Sequence, residues 1–230
     1  MPLAAFFDGQ QYLAERYQIT YLSAPQLLTD TRTPLESTSR ALIIGHSHDG
    51  EYPGIRHATQ TIAQNFPAGW QSTLLVDANA TFDNVRAASR DSHLIHLATH
   101  ATFRADNPLF SWARLTGHRL TVAELYQMKL PQNPLVVFSA SETGRGKPRG
   151  GGLLGMGRAL LAAGASGLVV TLWRVEDQAT AQLMVDFYAE LGNQPKITTG
   201  ASAALRHPQQ QAIAQQRPPF FWAGFIFIQG

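Results

Sequence analysis

The chain has 230 residues, 44% of them hydrophobic and 15% charged, with a formal net charge of +2. That length can bury a sizeable core within one α/β domain, while the sparse, dispersed charge leaves neither an acidic tail nor a basic stripe for nucleic acid. No apolar run approaches the roughly 20 residues of a membrane helix and the first residues lack a basic segment ahead of an apolar one, so the chain reads as soluble and cytoplasmic, with no nucleic-acid or membrane partner. The absence of cysteine excludes disulfides and thiolate metal sites.

Along the chain, short β-branched apolar runs alternate with segments of helical period. Residues 41–45 read as a buried strand, 55–66 as a helix, 72–76 as a strand, 81–89 as a helix capped by Thr81, and 94–98 as a third strand. Residues 104–108, rich in Arg, Asn and Pro, read as a surface excursion. A strand at 134–140, a helix at 152–163, a strand at 167–173 and a helix at 176–191 follow. Residues 192–219, with Gln209-Gln210-Gln211 and Arg217-Pro218-Pro219, read as a second surface excursion before a last strand at 223–228. This βαβ series predicts an α/β fold with a mostly parallel sheet of about six strands and helices on both faces. With no repeat and no linker, residues 1–230 read as a single domain, 1–40 forming an N-terminal part and 41–230 the core.

Two motifs close apolar runs with reactive side chains: His96-Leu97-Ala98-Thr99-His100 and Ser139-Ala140-Ser141-Glu142-Thr143-Gly144. Chemistry in such sheets gathers at the carboxyl ends of the strands. A nucleophile there needs a base within hydrogen-bond reach, and His100, 41 residues upstream of Ser141, fits a neighbouring strand. The residues alone leave a plainer alternative open, in which Ser141 caps the next loop and His100 is an ordinary strand-end histidine.

Other motifs carry less. Gly150 to Gly155 satisfies G-x-G-x-x-G, which raises a dinucleotide-binding enzyme as an alternative, but about ten residues separate it from the preceding strand where the fingerprint needs a tight turn. Gly144-Arg145-Gly146-Lys147 has Ser141 where a phosphate loop has its first glycine. His96 and His100 have zincin spacing without the central Glu. His46, His48 and Asp49 share a turn that reads either as a loop metal site or, more commonly, as solvated polar residues. No cofactor and no metal is expected.

Five blocks, in order, resemble the CHAT domain, a caspase-like and separase-like cysteine peptidase family usually attached to tetratricopeptide repeats. They are residues 6–22 (FFDGQQYLAERYQITYL), 96–110 (HLATHATFRADNPLF), 138–144 (FSASETG), 152–164 (GLLGMGRALLAAG) and 172–180 (LWRVEDQAT). The resemblance implies a caspase-like three-layer sandwich. It makes His100 the general base and places Ser141 where the family has its nucleophilic cysteine in Ser-Ala-Cys-x-Thr-Gly. It assigns the oxyanion hole to the backbone N–H groups of Ala101 and Ser141, with alanine where many members have glycine. Asp177 matches an S1 acid that pairs with a basic P1 residue, although a place in the first turn of a helix explains it equally well. Glu142, Thr143, Gly144 and Arg145 fall in a loop bordering the substrate groove. The implied partners are a protein or peptide substrate and regulatory repeat domains or an activator in the full-length protein.

Serine in place of cysteine changes the chemistry. A thiol, with a pKa near 8.5, becomes a standing thiolate beside an imidazole. A hydroxyl must lose its proton during attack, which depends on an oriented base and tuned oxyanion donors. The expectation is a chain that binds peptide but cleaves it very slowly or not at all, with two origins open: a natural pseudopeptidase or a deliberate Cys-to-Ser replacement. A non-catalytic peptide- or partner-binding module is the main alternative.

Overall fold

The apolar runs become strands of one mixed sheet in the computed structural model, which describes residues 2–23, 39–104, 106–142, 151–173 and 177–230. In chain order the elements are α1 (Leu13–Arg16), β1 (Tyr21–Leu22), β2 (Ser39–Gly45), α2 (Pro53–Gln64), β3 (Trp70–Val76), α3 (Phe82–Ser89), β4 (Leu94–Thr102), β5 (Trp112–Leu115), β6 (His118–Thr121), α4 (Val122–Gln127), β7 (Leu135–Glu142), α5 (Gly151–Ala162), β8 (Gly167–Thr171), α6 (Asp177–Gly192), α7 (Ile197–Ala214) and β9 (Phe225–Gln229). The strand order is β1-β9-β8-β7-β4-β2-β3. The pairs from β3 to β8 are parallel, β9 runs antiparallel to β8, and β1 is parallel to β9.

Successive residues of the central strands serve opposite faces, which is why the runs are continuously apolar rather than alternating. Ala41 and Ile43 of β2, Leu135 and Val137 of β7 and Val169 of β8 join α1, α2, α6 and α7 in one core. Leu42 and Ile44, Val136 and Phe138, and Leu168 and Val170 join α3, α4 and α5 in the other. The result is a three-layer sandwich, each fully buried Leu, Ile, Val or Phe contributing about 1.5–3 kcal/mol. Local signals set the helix ends. Thr81 Oγ1 accepts the Asn84 N–H at 3.3 Å to start α3, Thr121 and Glu124 form a reciprocal capping box on α4, and Gly164, at φ 115°, closes α5 in the left-handed region.

Several expectations are corrected. The sheet has nine strands among the described residues rather than about six. The three additional ones are β1, a two-residue edge, and the two strands of the β5–β6 hairpin, which turns at Thr116-Gly117 with Gly117 at φ 68°. Residues 192–219 are no surface excursion, because most of them form α7. Ile197, Ala201, Ala204, Leu205 and Ala212 recur at helical spacing and are buried. Pro208 sits inside that helix, where it removes one backbone donor without ending the helix. Gln209, 5% exposed, donates its amide to the carbonyls of Trp222 and Phe225 at 3.2 and 3.1 Å. Ala4 and Ala14 are buried in the core beside α7, and Arg206 of α7 donates to the carbonyls of Ala14 and Glu15. Among the described residues no helix is long and apolar enough to cross a membrane.

Candidate active site

β2 leads out to the edge strand β3 and the chain then returns to β4 on the other side of β2, so the order reverses between β2 and β4. A crevice opens at the carboxyl ends of strands flanking such a point. β2 pairs with β4 from Ala41–Leu94 to Gly45–Ala98, and the His46 N–H donates to the Ala98 carbonyl at 3.1 Å as the chain turns away. Beyond that point β5 takes the place of β2 beside β4, with Ala101 opposite Ala113.

On the other side of β4 the register with β7 continues to the end. His100 lies opposite Ser141, and Ala101 opposite Glu142. Neighbouring strands are roughly 4.8 Å apart, so the two motifs end side by side. Glu142 belongs to β7 and not to a loop, because its ladder with β4 extends two residues past the expected strand end at 140. Thr143, Gly144 and Arg145 lie outside the described residues. Ala101 is fully buried, its side chain in the core against α3–α5. Asp177 is the first residue of α6. Gly151, Gly152 and Gly155 of the Gly-rich segment belong to α5, and Gly150 lies outside the described residues.

The turn after β2 supplies residues that the motifs did not indicate. His48, Asp49 and Gly50 all adopt positive φ, at 55°, 55° and 88°. The Tyr52 N–H closes the turn on the Ser47 carbonyl at 2.9 Å. Tyr52 then stacks on the His100 imidazole, ring centroids 5.5 Å apart and planes inclined by 9°. His48 meets the same imidazole edge-on at 6.2 Å, with its Nε2 3.2 Å from Glu51 Oε2. His46 and His100 are 4% and 3% exposed, so the reading of His46 as a solvated residue is corrected. Burial holds the His46 imidazole below its ordinary pKa, opposed by the Asp77 carboxylate and reinforced by Arg114. Among the described residues no group of three or more His, Cys, Asp or Glu side chains is arranged to hold a metal ion.

Asp77, at the end of β3, braces this turn. Its carboxylate accepts the Ser47 N–H at 2.7 Å and the Arg56 Nε at 2.7 Å, and its carbonyl accepts the Thr116 hydroxyl. Burial pushes the Asp77 carboxyl up, but the bonds from Ser47 and the Arg56 guanidinium outweigh it and hold the group below the usual carboxylate range. His96, on the same face of β4 as His100, is occupied elsewhere: its Nδ1 is 2.7 Å from the Tyr188 hydroxyl. It is a core residue and not half of a metal pair.

A three-layer α/β sandwich around a mostly parallel sheet with this strand order is the caspase-like architecture. Solved structures of that kind align with it. The Arg-specific cysteine proteinase gingipain R aligns at TM-score 0.53 and 14% identity, over 83% of this chain and 46% of the proteinase. A complex of the RgpB pro- and mature domains from Porphyromonas gingivalis aligns at TM-score 0.54 and 10% identity, over 84% of this chain and 47% of that one. At these identities the likeness is one of fold. A sequence profile of the CHAT domain matches residues 1–230, and the chain belongs to the CHAT domain family. Tetratricopeptide repeat protein 28 of Mus musculus is 35% identical over 109 residues, and that of Homo sapiens 33% identical over 109 residues. Those residues are 47% of this chain but 4% of either relative, so the matched region is a small part of a much longer protein.

Proposed function

We propose that this CHAT domain binds a peptide or protein segment across the carboxyl ends of β2, β4 and β7, with His100 and Ser141 at the positions of the family's base and nucleophile. With a hydroxyl at residue 141, cleavage is very slow or absent. The observation that carries the reading is the direct register of His100 with Ser141 at the carboxyl ends of β4 and β7. In the cysteine form, the His100 imidazole takes the thiol proton, the thiolate adds to the scissile carbonyl, and the resulting oxyanion is met by backbone N–H groups, for which Ala101 and residue 141 are the assigned donors. The proton then passes from the imidazolium to the leaving amine, and water hydrolyses the acyl-enzyme. Asp177 is assigned to recognition of a basic P1 side chain, and Glu142, at the end of β7, to the border of the groove. The relatives bear tetratricopeptide repeats in their names, which supports repeat domains or a repeat-bound activator as the regulatory partner.

The test uses the chain's lack of cysteine. Ser141→Cys introduces one thiol, and its alkylation rate against pH reports that residue alone. A thiol pKa well below about 8.5 that returns towards it in Ser141→Cys with His100→Ala supports the dyad, as does cleavage of a peptide library by the cysteine form and not by the parent. An ordinary thiol in the first variant would overturn it, and robust cleavage by the parent would overturn the inactivity of the serine form. A purely binding module, favoured by the hydroxyl at 141, predicts peptide capture by both forms and cleavage by neither.

A further inference from the structure

We propose that Tyr52 is a positioning residue for His100, an inference that rests on reading His100 as the general base. An imidazole turns easily about its Cβ–Cγ bond, whose torsional wells are broad, so a histidine base is effective only when a neighbour fixes the plane of its ring. Tyr52 lies face to face with that ring, 5.5 Å between centroids and 9° from parallel. A stacked neighbour occupies the imidazole face and neither in-plane nitrogen. It therefore fixes the plane while leaving the nitrogens to the nucleophile and the leaving group.

The backbone shows how Tyr52 is itself held. Its N–H is committed to the Ser47 carbonyl, and Pro53 follows as the first residue of α2 and keeps residue 52 out of the helical region, at φ −120° and ψ 71°. Upstream, His48 and Asp49 are non-glycine residues at φ 55°, a conformation that costs energy and persists only where the surroundings enforce it. The enforcing contacts are at hand. The Ser47 N–H is fixed by Asp77, Asp77 is fixed by Arg56 from α2, and Gly45 packs so closely that an added Cβ would sit 2.6 Å from Thr59 Oγ1. The strained turn therefore has one geometric outcome, the delivery of the Tyr52 ring onto His100, with His48 closing the edge at 6.2 Å. Preorganisation of this kind places a base without further ordering during the reaction.

Two measurements test the proposal, one of them independent of catalysis. In the unaltered Ser141 chain with 15N-labelled histidine, NMR is expected to show the His100 ring protons displaced by the stacked ring and one ring tautomer dominant. Tyr52→Phe is expected to keep both features and Tyr52→Leu to lose both. In the Ser141→Cys chain, the alkylation rate at pH 7 is expected to stay within about twofold for Tyr52→Phe and to fall about tenfold for Tyr52→Leu, as the thiol pKa moves back towards its free value. If Tyr52→Leu fails to fold, Tyr52→Met serves, filling the site without an aromatic face. Unchanged His100 resonances and an unchanged alkylation profile in a folded Leu or Met variant overturn the proposal. If the thiol behaves as an ordinary one with Tyr52 in place, the dyad reading fails, and the His100 resonances alone then decide whether Tyr52 holds the ring.

Discussion

His96 Nδ1 and the Tyr188 hydroxyl are 2.7 Å apart, joining β4 to α6 in a core where each residue is 1% exposed. His96 is four residues before His100 on one face of the strand, and Tyr188 belongs to the helix that Asp177 opens. The bond thus ties the strand of the candidate base to the helix of the candidate specificity residue. Tyr188→Phe removes the hydroxyl and leaves a buried imidazole nitrogen without that partner, a loss of about 1–3 kcal/mol. Urea denaturation is expected to show a lower midpoint with an unchanged m-value. Adding His96→Leu should recover part of the loss, because removing both polar partners is less costly than orphaning one. An unaltered midpoint for Tyr188→Phe would show that the bond does not contribute.

The same histidine sets an acid limit. Burial lowers the His96 pKa from 6.5 to about 4. The unfolded chain therefore takes up this proton near pH 6.5 while the folded chain resists it to about pH 4. The unfolded state binds more protons across that window, so stability is intact above about pH 6.5 and falls on acidification, by up to about 1.4 kcal/mol per pH unit for one proton. His46, also lowered by burial, adds in the same direction. Denaturation free energies between pH 7.5 and 4.5 are expected to decline, with a shallower slope for His96→Leu. A slope that His96→Leu leaves unaltered would assign the decline to other groups.

The ends of the sheet were less legible in the sequence than its centre, for physical reasons. Residues such as Ile43, Leu97 and Val137 announce strands because they are buried on both faces, and that demand for continuous apolarity survives any context. β9 carries the same apolar signal, but apolarity has no direction, so its antiparallel pairing was not readable. The helix α7 was hidden by its glutamines and Pro208, because its apolar stripe is made of small residues such as Ala201 and Ala204 that periodicity reads weakly. At the site, His100 and Ser141 were visible as reactive groups closing strands. Tyr52 and Asp77 were not, since their roles arise from a left-handed turn and a contact between the ends of β2 and β3. The Tyr52-Pro53 pair and the His48-Asp49-Gly50 run were the available signals, and they mark a tight turn without showing what it delivers.

Gly45 offers a steric test of how the end of β2 is seated. A Cβ there would stand 2.6 Å from Thr59 Oγ1 and 2.9 Å from its Cγ2. Thr59 is fully buried, and its hydroxyl donates to the Ile55 carbonyl at 2.9 Å, so it has little room to yield. Gly45→Ala is expected to cost about 1–3 kcal/mol by overpacking. Pairing it with Thr59→Ala removes the clashing atoms and should recover much of that cost. If the double variant is as unstable as the sum of the two single ones, the contact is not where the cost arises.

Asp77→Asn tests the brace beneath the turn. Asp77 has φ 44°, a conformation that asparagine tolerates about as well as aspartate, so the substitution changes the side-chain chemistry and leaves the backbone unstrained. The carboxylate serves both the Ser47 N–H and the Arg56 guanidinium. An amide has one acceptor oxygen, and its NH2 group must then face one of these donors. The expected loss at pH 7 is about 1–2 kcal/mol, towards the lower part of the range for charged hydrogen bonds because the Arg56 side chain is 52% exposed and screened by solvent. The folded structure holds the Asp77 pKa below the ordinary aspartate value of about 3.9. Its contribution is therefore complete above that value and disappears as the pH falls through the depressed one. The stability gap between parent and Asp77→Asn should accordingly be full at neutral pH, narrow below about pH 4, and close once the carboxyl is protonated. A gap that persists unchanged into that acid range would mean that the carboxylate charge is not what holds the turn.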